Sequence, residues 1–275
     1  MITLAELSKY HGICLERGED YVYAAPHALL RPFIQHYAVT FPFNIPDEYT
    51  VLPSASSTMI FLVAANDNIY SGLTAVETKA SIVGNTANQA KLLLLIKFRS
   101  SGLYPFLKEQ QSDLRDQYIP LYDINPSLTE SIEHALVCTN CLDGLFAELD
   151  DIFLSNYQEY DAMHKISFIK NQIILNHGNI SMKELASNCF YSEKHIRRLF
   201  LNYVGTSPKS FSRIVRVNYA LNLMKNPQTS LTEIAMNSGY FDQAHLDNDL
   251  KLICNITPNE YINNMSVFYK DEFNQ

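Results

Sequence analysis

The chain has 275 residues, is 47% hydrophobic and 18% charged, and carries a formal net charge of −8. That length and apolar content allow two folded cores and exclude a disordered or collagen-like chain. No apolar run approaches the ~20 residues of a membrane span, the N-terminal MITLAELSKYHGICLERGED lacks the apolar centre of an export signal, and five irregularly spaced cysteines make no disulfide framework, so a cytoplasmic protein is expected.

Strand signals dominate the first half. Short β-branched or aromatic runs (TVLP, STMIFLVAA, NIYSGLTA, ASIVGN, KLLLLIKFRS) are separated by turn residues. Asn66-Asp67-Asn68 reads as a hairpin turn, and Leu92 to Ile96 as a buried strand. Several strands at this spacing suggest a small barrel or sandwich. From about residue 113 the pattern turns helical, with Pro126-Ser127 and Asp143 as start signals. The polar, acidic YQEYD at 157–161 is the expected boundary, giving domains 1–158 and 159–275.

The second half reads as helices throughout. Ile166, Ile169 and Ile173 share one face, and His177-Gly178-Asn179 ends that helix. Ser181 caps the next, with Glu184 completing a capping box. Ser192 caps a third helix, on which Ile196, Leu199, Phe200 and Tyr203 form an apolar stripe. Gly205 stops it. Ser207 and Pro208 then start a long helix over about 208–225.

An internal repeat follows. EIAMNSGY (233–240) echoes ELASNCFY (184–191), HLDNDL (245–250) echoes HIRRLF (195–200), and NITPNEY (255–261) echoes GTSPKSF (205–211). Asp242 takes the capping place of Ser192. The chain thus holds two copies of one unit, each a short helix, a turn and a second helix.

Charge is unevenly spread. Residues 1–164 hold 9 Lys+Arg against 20 Asp+Glu, and residues 165–275 hold 12 against 9. Within 176–225 the count is 8 basic to 2 acidic. A helix-turn-helix unit sets its second helix in the major groove of DNA, where Arg and Lys can bond guanine and Asn and Gln can bond adenine. Lys194, Arg197 and Arg198 are the expected base-edge contacts of the first unit. Lys209 and Arg213, with Lys183, Arg216 and Lys225, are expected to meet phosphate. The second unit, 226–264, has Lys251 against five carboxylates, Glu233, Asp242, Asp247, Asp249 and Glu260. It either reads bases weakly through Gln243 and Asn248 or mainly supports the fold, and the first unit is expected to carry most of the affinity.

These residues resemble the AraC/XylS family of bacterial transcription regulators over about Ile166 to Asn264. The resemblance is carried by Ile180-Ser181, Glu184-Leu185-Ala186, Ser192, His195-Ile196, Arg198-Leu199-Phe200, Gly205, Ser207-Pro208, Arg216, Ala220, Leu223, Ile234-Ala235, Gly239-Tyr240, Asp242-Gln243, His245, Lys251, Thr257-Pro258 and Tyr261. It implies recognition helices at 192–204 and 242–254, spaced by the long helix at about one DNA turn, on the order of 34 Å. Leu250 and Asn255 stand where the family usually has Phe and Gly. The LPSASSTMIFLV and KFRSSGLYPFLKEQQSDLRDQYIPLYDI stretches are similar to the cupin-like sensor domains of such regulators. This implies an α+β chain: a small β-barrel with a helical appendage for dimerisation or docking, then an all-α domain with two helix-turn-helix units joined by a spacer helix. A barrel cavity would be the effector site, with Tyr49, Phe61, Tyr70 and Tyr104 as candidate lining.

Enzyme signals are missing. No P-loop, Gly-rich dinucleotide fingerprint or G-x-S-x-G occurs. No His lies between residues 37 and 133, so no cupin metal set is expected. Cys138 and Cys141 form a CxxC with no second pair, read as ordinary thiols or as a redox sensor. The expectation is a one-component regulator without cofactor or metal. Its partners would be double-stranded DNA, a small effector of unknown identity, RNA polymerase and a second copy of the chain. The alternative is an interaction protein with weakened DNA binding, acting through another regulator or RNA polymerase.

Overall fold

A computed structural model describes residues 2–42, 46, 47, 49–263, 268 and 269. The N-terminal half is built on a seven-stranded antiparallel sheet of β1 (Cys14–Arg17), β2 (Tyr21–Ala24), β3 (Ile34–Thr40), β5 (Thr58–Ala64), β6 (Ile69–Ala75), β8 (Ala90–Phe98) and β9 (Gln117–Pro120). Its order is β1-β2-β3-β8-β5-β6-β9. The sheet is open, with β1 and β9 at its edges, where a closed small barrel was expected. Two short strands, β4 (Thr50–Val51) and β7 (Ser81–Ile82), pair in a second sheet with β10 (Phe268–Tyr269).

The apolar run 92–96 lies in the central strand, β8. Alternation puts Leu92, Leu94, Ile96 and Phe98 on one face, where they join Tyr37, Met59 and Phe61 in the first core. That face is covered by α4 (Pro126–Cys138) and α5 (Leu142–Asn156), through Leu128, Ile132, Leu145, Leu149 and Phe153. The opposite face carries Leu93, Ile60, Leu62 and Leu95 beside the small helix α1 (Gly84–Ala87). It also carries a buried ion pair, Lys97 Nζ to Glu77 Oε2 at 3.2 Å. The β5–β6 hairpin turns on Asn66-Asp67-Asn68 as expected: Asp67 is left-handed, and Asn68 N donates to Asn66 Oδ1 at 3.2 Å. Two one-turn helices, α2 (Tyr104–Leu107) and α3 (Gln111–Leu114), follow β8.

The C-terminal half is helical. It comprises α6 (Met163–Leu175), α7 (Met182–Cys189), α8 (Glu193–Tyr203), α9 (Pro208–Leu223), α10 (Leu231–Asn237), α11 (Gln243–Cys254) and α12 (Pro258–Asn263). Its core gathers Ile166, Ile169, Ile173, Phe200, Phe211, Ala220, Leu246 and Leu250. The long helix α9 contacts both α8 and the α10–α11 pair. Leu250, in the place of the family's usual Phe, is fully buried, and Asn255 takes the left-handed conformation that the usual Gly would supply.

The two halves meet closely. Ala55 is buried in the helical core, and Asn218 Nδ2 donates to Pro53 O at 2.9 Å. Ala80 N donates to Ile253 O at 3.1 Å. Tyr104, Tyr160 and Tyr203 form a ring triad with centroids 4.7 to 4.9 Å apart. The buried Lys170 ammonium, on α6, donates to Ser100 O just beyond β8.

Candidate nucleic-acid interface

The first unit is α7, a turn, and α8. Ser181 Oγ accepts from Glu184 N at 3.2 Å, and Ser181 N donates to Glu184 Oε2 at 2.9 Å. The Ser181 hydroxyl, then its backbone N–H, hold the Glu184 carboxyl below its usual range. Phe190 ends α7 at φ +56°, and Ser192 Oγ then accepts from His195 N at 3.2 Å to start α8. Ile196, Leu199 and Phe200 turn inward, and Phe200 meets Phe211 of α9 at 5.6 Å.

The other face of α8 exposes Lys194, Arg197 and Arg198 together. Arg197 Nη2 donates to Glu193 Oε2 at 3.1 Å, an exposed i,i+4 pair of small worth that a stronger anion can displace. Arg198 Nη2 lies 3.2 Å from His195 Nδ1, and His195 in turn packs against Tyr191 at 5.0 Å. Lys209 is exposed on the first turn of α9.

Arg213 is placed differently from its expected phosphate role. Its Nη2 donates to Asp249 Oδ1 at 2.5 Å and its Nε to Asp249 Oδ2 at 3.4 Å. Arg216, another expected phosphate contact, donates to Gly178 O at 3.1 Å and lies over the Tyr240 ring at 5.3 Å. Both guanidiniums point from α9 into the protein because each meets an acceptor there, which no charge count reveals.

The second unit is α10, a turn, and α11. Ser230 and Glu233 form a second capping box, and Asp242 Oδ1 accepts from His245 N at 2.8 Å. Glu260 caps the next helix by accepting from Thr257 N at 2.7 Å. Four of the unit's five carboxylates are thus engaged: three at helix starts, and Asp249 by Arg213. The fifth, Asp247, has one buried oxygen with no hydrogen-bond partner among the described residues. Asn248 is exposed and Gln243 half-exposed on α11. The loop between α6 and α7 meets the second unit, where Asn179 Nδ2 donates to Ser238 O at 3.0 Å.

Residues 185–264 match the helix-turn-helix domain family, which spans both units and the helix between them. This C-terminal region is a helix-turn-helix domain. Among curated relatives, the chain is 32% identical over 84 residues to the uncharacterized HTH-type transcriptional regulator YidL of Escherichia coli, covering 30% of this chain and 28% of that one. It is 23% identical over 107 residues to the lactose operon transcription activator of Staphylococcus xylosus, covering 39% and 37%. The chain therefore spans 28 to 37% of the length of the curated relatives it matches. Among solved structures it is similar to an AraC-type regulator from Chromobacterium violaceum (24% identity, 37% of this chain and 92% of that one, TM-score 0.35). It is also similar to apo ToxT from Vibrio cholerae (15% identity, 82% and 96%, TM-score 0.41).

The four aromatics expected to line an effector cavity do not come together. Phe61 is in the first core, Tyr70 is exposed, Tyr104 belongs to the ring triad between the halves, and Tyr49 is half-buried outside the main sheet. Cys138 Sγ lies 3.3 Å from His134 Nε2, and Cys141 precedes α5. No group of three or more His, Cys, Asp or Glu that could hold a metal ion occurs among the described residues. No described helix is long and apolar enough to cross a membrane.

Proposed function

We propose that the chain is a sequence-specific DNA-binding transcription regulator in which the first helix-turn-helix unit supplies most of the affinity. The observation that carries this reading is the exposed Lys194, Arg197 and Arg198 face on a capped α8 whose other face is fixed in the core. Lys194, Arg197 and Arg198 read base edges, and Lys209 holds phosphate. Gln243 and Asn248 add weaker readout from α11. Arg213 has the separate task of holding α11 to α9.

The N-terminal half, 1–158, is the sensing domain in this reading, and 159–275 the DNA-binding domain. A small effector would sit on the sheet face that joins the apolar Ile60, Leu62 and Leu95 to the Lys97–Glu77 pair. Contacts from the sensing half reach the ends of both recognition helices, at Tyr203 of α8 and Ile253 of α11. An effector that binds one docked arrangement better than another thereby shifts how the two helices meet DNA. The rival reading, an interaction protein with weakened DNA binding, drew on the acidity of the first half and on the five carboxylates of the second unit. It loses support because four of those carboxylates are engaged in caps and an ion pair.

A salt titration of the full chain against random-sequence duplex DNA tests the reading. The logarithm of the binding constant falls linearly with the logarithm of salt if cations neutralise phosphates. Absence of binding at low salt favours the interaction protein.

A further inference from the structure

We propose that Phe190 and Phe241 are specificity-determining residues that take thymine methyl groups beside the two recognition helices; this rests on the DNA-binding reading above. Phe190 is 93% exposed and Phe241 88%, more than any other large apolar side chain among the described residues. Both sit in the turn that leads into a recognition helix. Phe190 is two residues before the cap Ser192, and Phe241 immediately precedes the cap Asp242.

Scattered exposed apolar residues need no explanation, but Phe190 also occupies a costly backbone position. Its φ is +56°, in the left-handed region, where the matching turn of the second unit uses Gly239 at +76°. A β-carbon in that region is disfavoured, and a bulky aromatic there is a rare choice. Neither ring belongs to a core cluster or has a ring partner among the described residues. The fold gains nothing visible from either phenyl group, so the benefit lies in something outside the chain.

The surroundings select the partner. Phe190 lies four residues before Lys194, the first of the exposed cations Lys194, Arg197 and Arg198, which suit a polyanion. Recognition helices meet base edges with their N-terminal residues, so the residues just before the cap come close to the groove. The apolar feature on a base edge in the major groove is the thymine C5-methyl group, which Phe can contact. A protein partner on this surface is the competing occupant, and the experiment separates the two.

The test uses the full chain and a duplex enriched by that chain from a random-sequence pool. Each thymine is replaced in turn by uracil, which removes the methyl group and leaves every hydrogen-bonding atom. The expected result is a loss of about fourfold at one or two thymines, the worth of one buried methyl. Phe190→Gly, which removes the ring and relieves the backbone, should erase the sensitivity at one thymine. Phe241→Ser should erase it at another. A thymine-to-uracil profile unchanged by either variant overturns the proposal, as does a wild-type chain indifferent to every methyl. An equal loss for Phe190→Gly on all duplexes, random DNA included, also overturns it, because the ring then acts on affinity without reading bases. If no duplex is enriched at all, the DNA-binding reading itself has failed, and this proposal with it.

Discussion

Arg213 of α9 grips Asp249 of α11 through two N–H···O bonds, at 2.5 and 3.4 Å. The Asp249 side chain is 7% exposed and that of Arg213 34%. The pair fixes the second recognition helix to the helix that joins the two units. It converts a residue that looks like a DNA contact, and one that looks like a DNA repellent, into a structural clamp.

Removing only the cation leaves a buried carboxylate uncompensated. For a fully buried pair this costs about 3–5 kcal/mol. Arg213 is a third exposed, so water screens part of the interaction and about 2 kcal/mol is expected for Arg213→Met. Urea unfolding of the full chain measures it. Arg213→Met should also weaken DNA binding by less than its stability loss suggests, once measured where the variant is folded. A Lys209→Met variant should show the opposite pattern, with unchanged unfolding and weaker binding to all DNA.

Local chemistry was legible in the sequence, and long-range pairing was not. The caps Ser181, Ser192, Ser207 and Asp242 each do what their spacing implied, because a cap depends on three or four consecutive residues. The Asn66–Asn68 hairpin is equally local. Strands β1, β2, β3 and β9 escaped the sequence reading. β1 is exposed along its whole length, while β3 is buried on both faces around His36, so neither shows clean alternation. The Arg213–Asp249 pair joins residues 36 apart, and the Asn218–Pro53 contact residues 165 apart. Nothing in a charge count or a hydrophobic period encodes such partners.

Lys170 makes the junction between the halves sensitive to pH. Burial, then the charge of Arg99, push its ammonium down to about 7 from an ordinary value of 10.5. Its native value is depressed, so the packed state disfavours the charged form. The penalty is fully present below pH 7 and is relieved as pH rises from about 7 toward 10.5. The junction should therefore tighten as pH rises from 7 to 9, visible as higher hydrogen-exchange protection factors, normalised to the intrinsic rate at each pH, in α6 and residues 99–101. Lys170→Met should remove that dependence and leave the junction at least as tight at pH 7, since an apolar isostere carries no buried charge. Protection factors that stay flat with pH in the wild-type chain would contradict this.

Gly205 packs the end of α8 against the N-terminal half. It ends the helix at φ +82°, and a β-carbon there would come within 2.7 Å of Gln111 O and of Val76 Cγ2. Gly205→Ala combines a left-handed penalty of about 1–2 kcal/mol with a clash against two elements of the other half. The expected outcome is a lower melting temperature together with faster proteolysis between the halves. Loss of stability with an intact junction would assign the glycine to helix termination alone.

We propose that the exposed cations of α8 read sequence while α11 contributes less. Competition binding on an enriched duplex against random DNA measures it most directly, as the ratio of the two affinities. Arg198→Ala should lower this ratio by roughly tenfold, within the roughly 1–3 kcal/mol worth of a good base contact, and Gln243→Ala with Asn248→Ala should lower it less. An equal loss of Arg198→Ala binding on both DNAs, or a larger drop for the double variant, would contradict it.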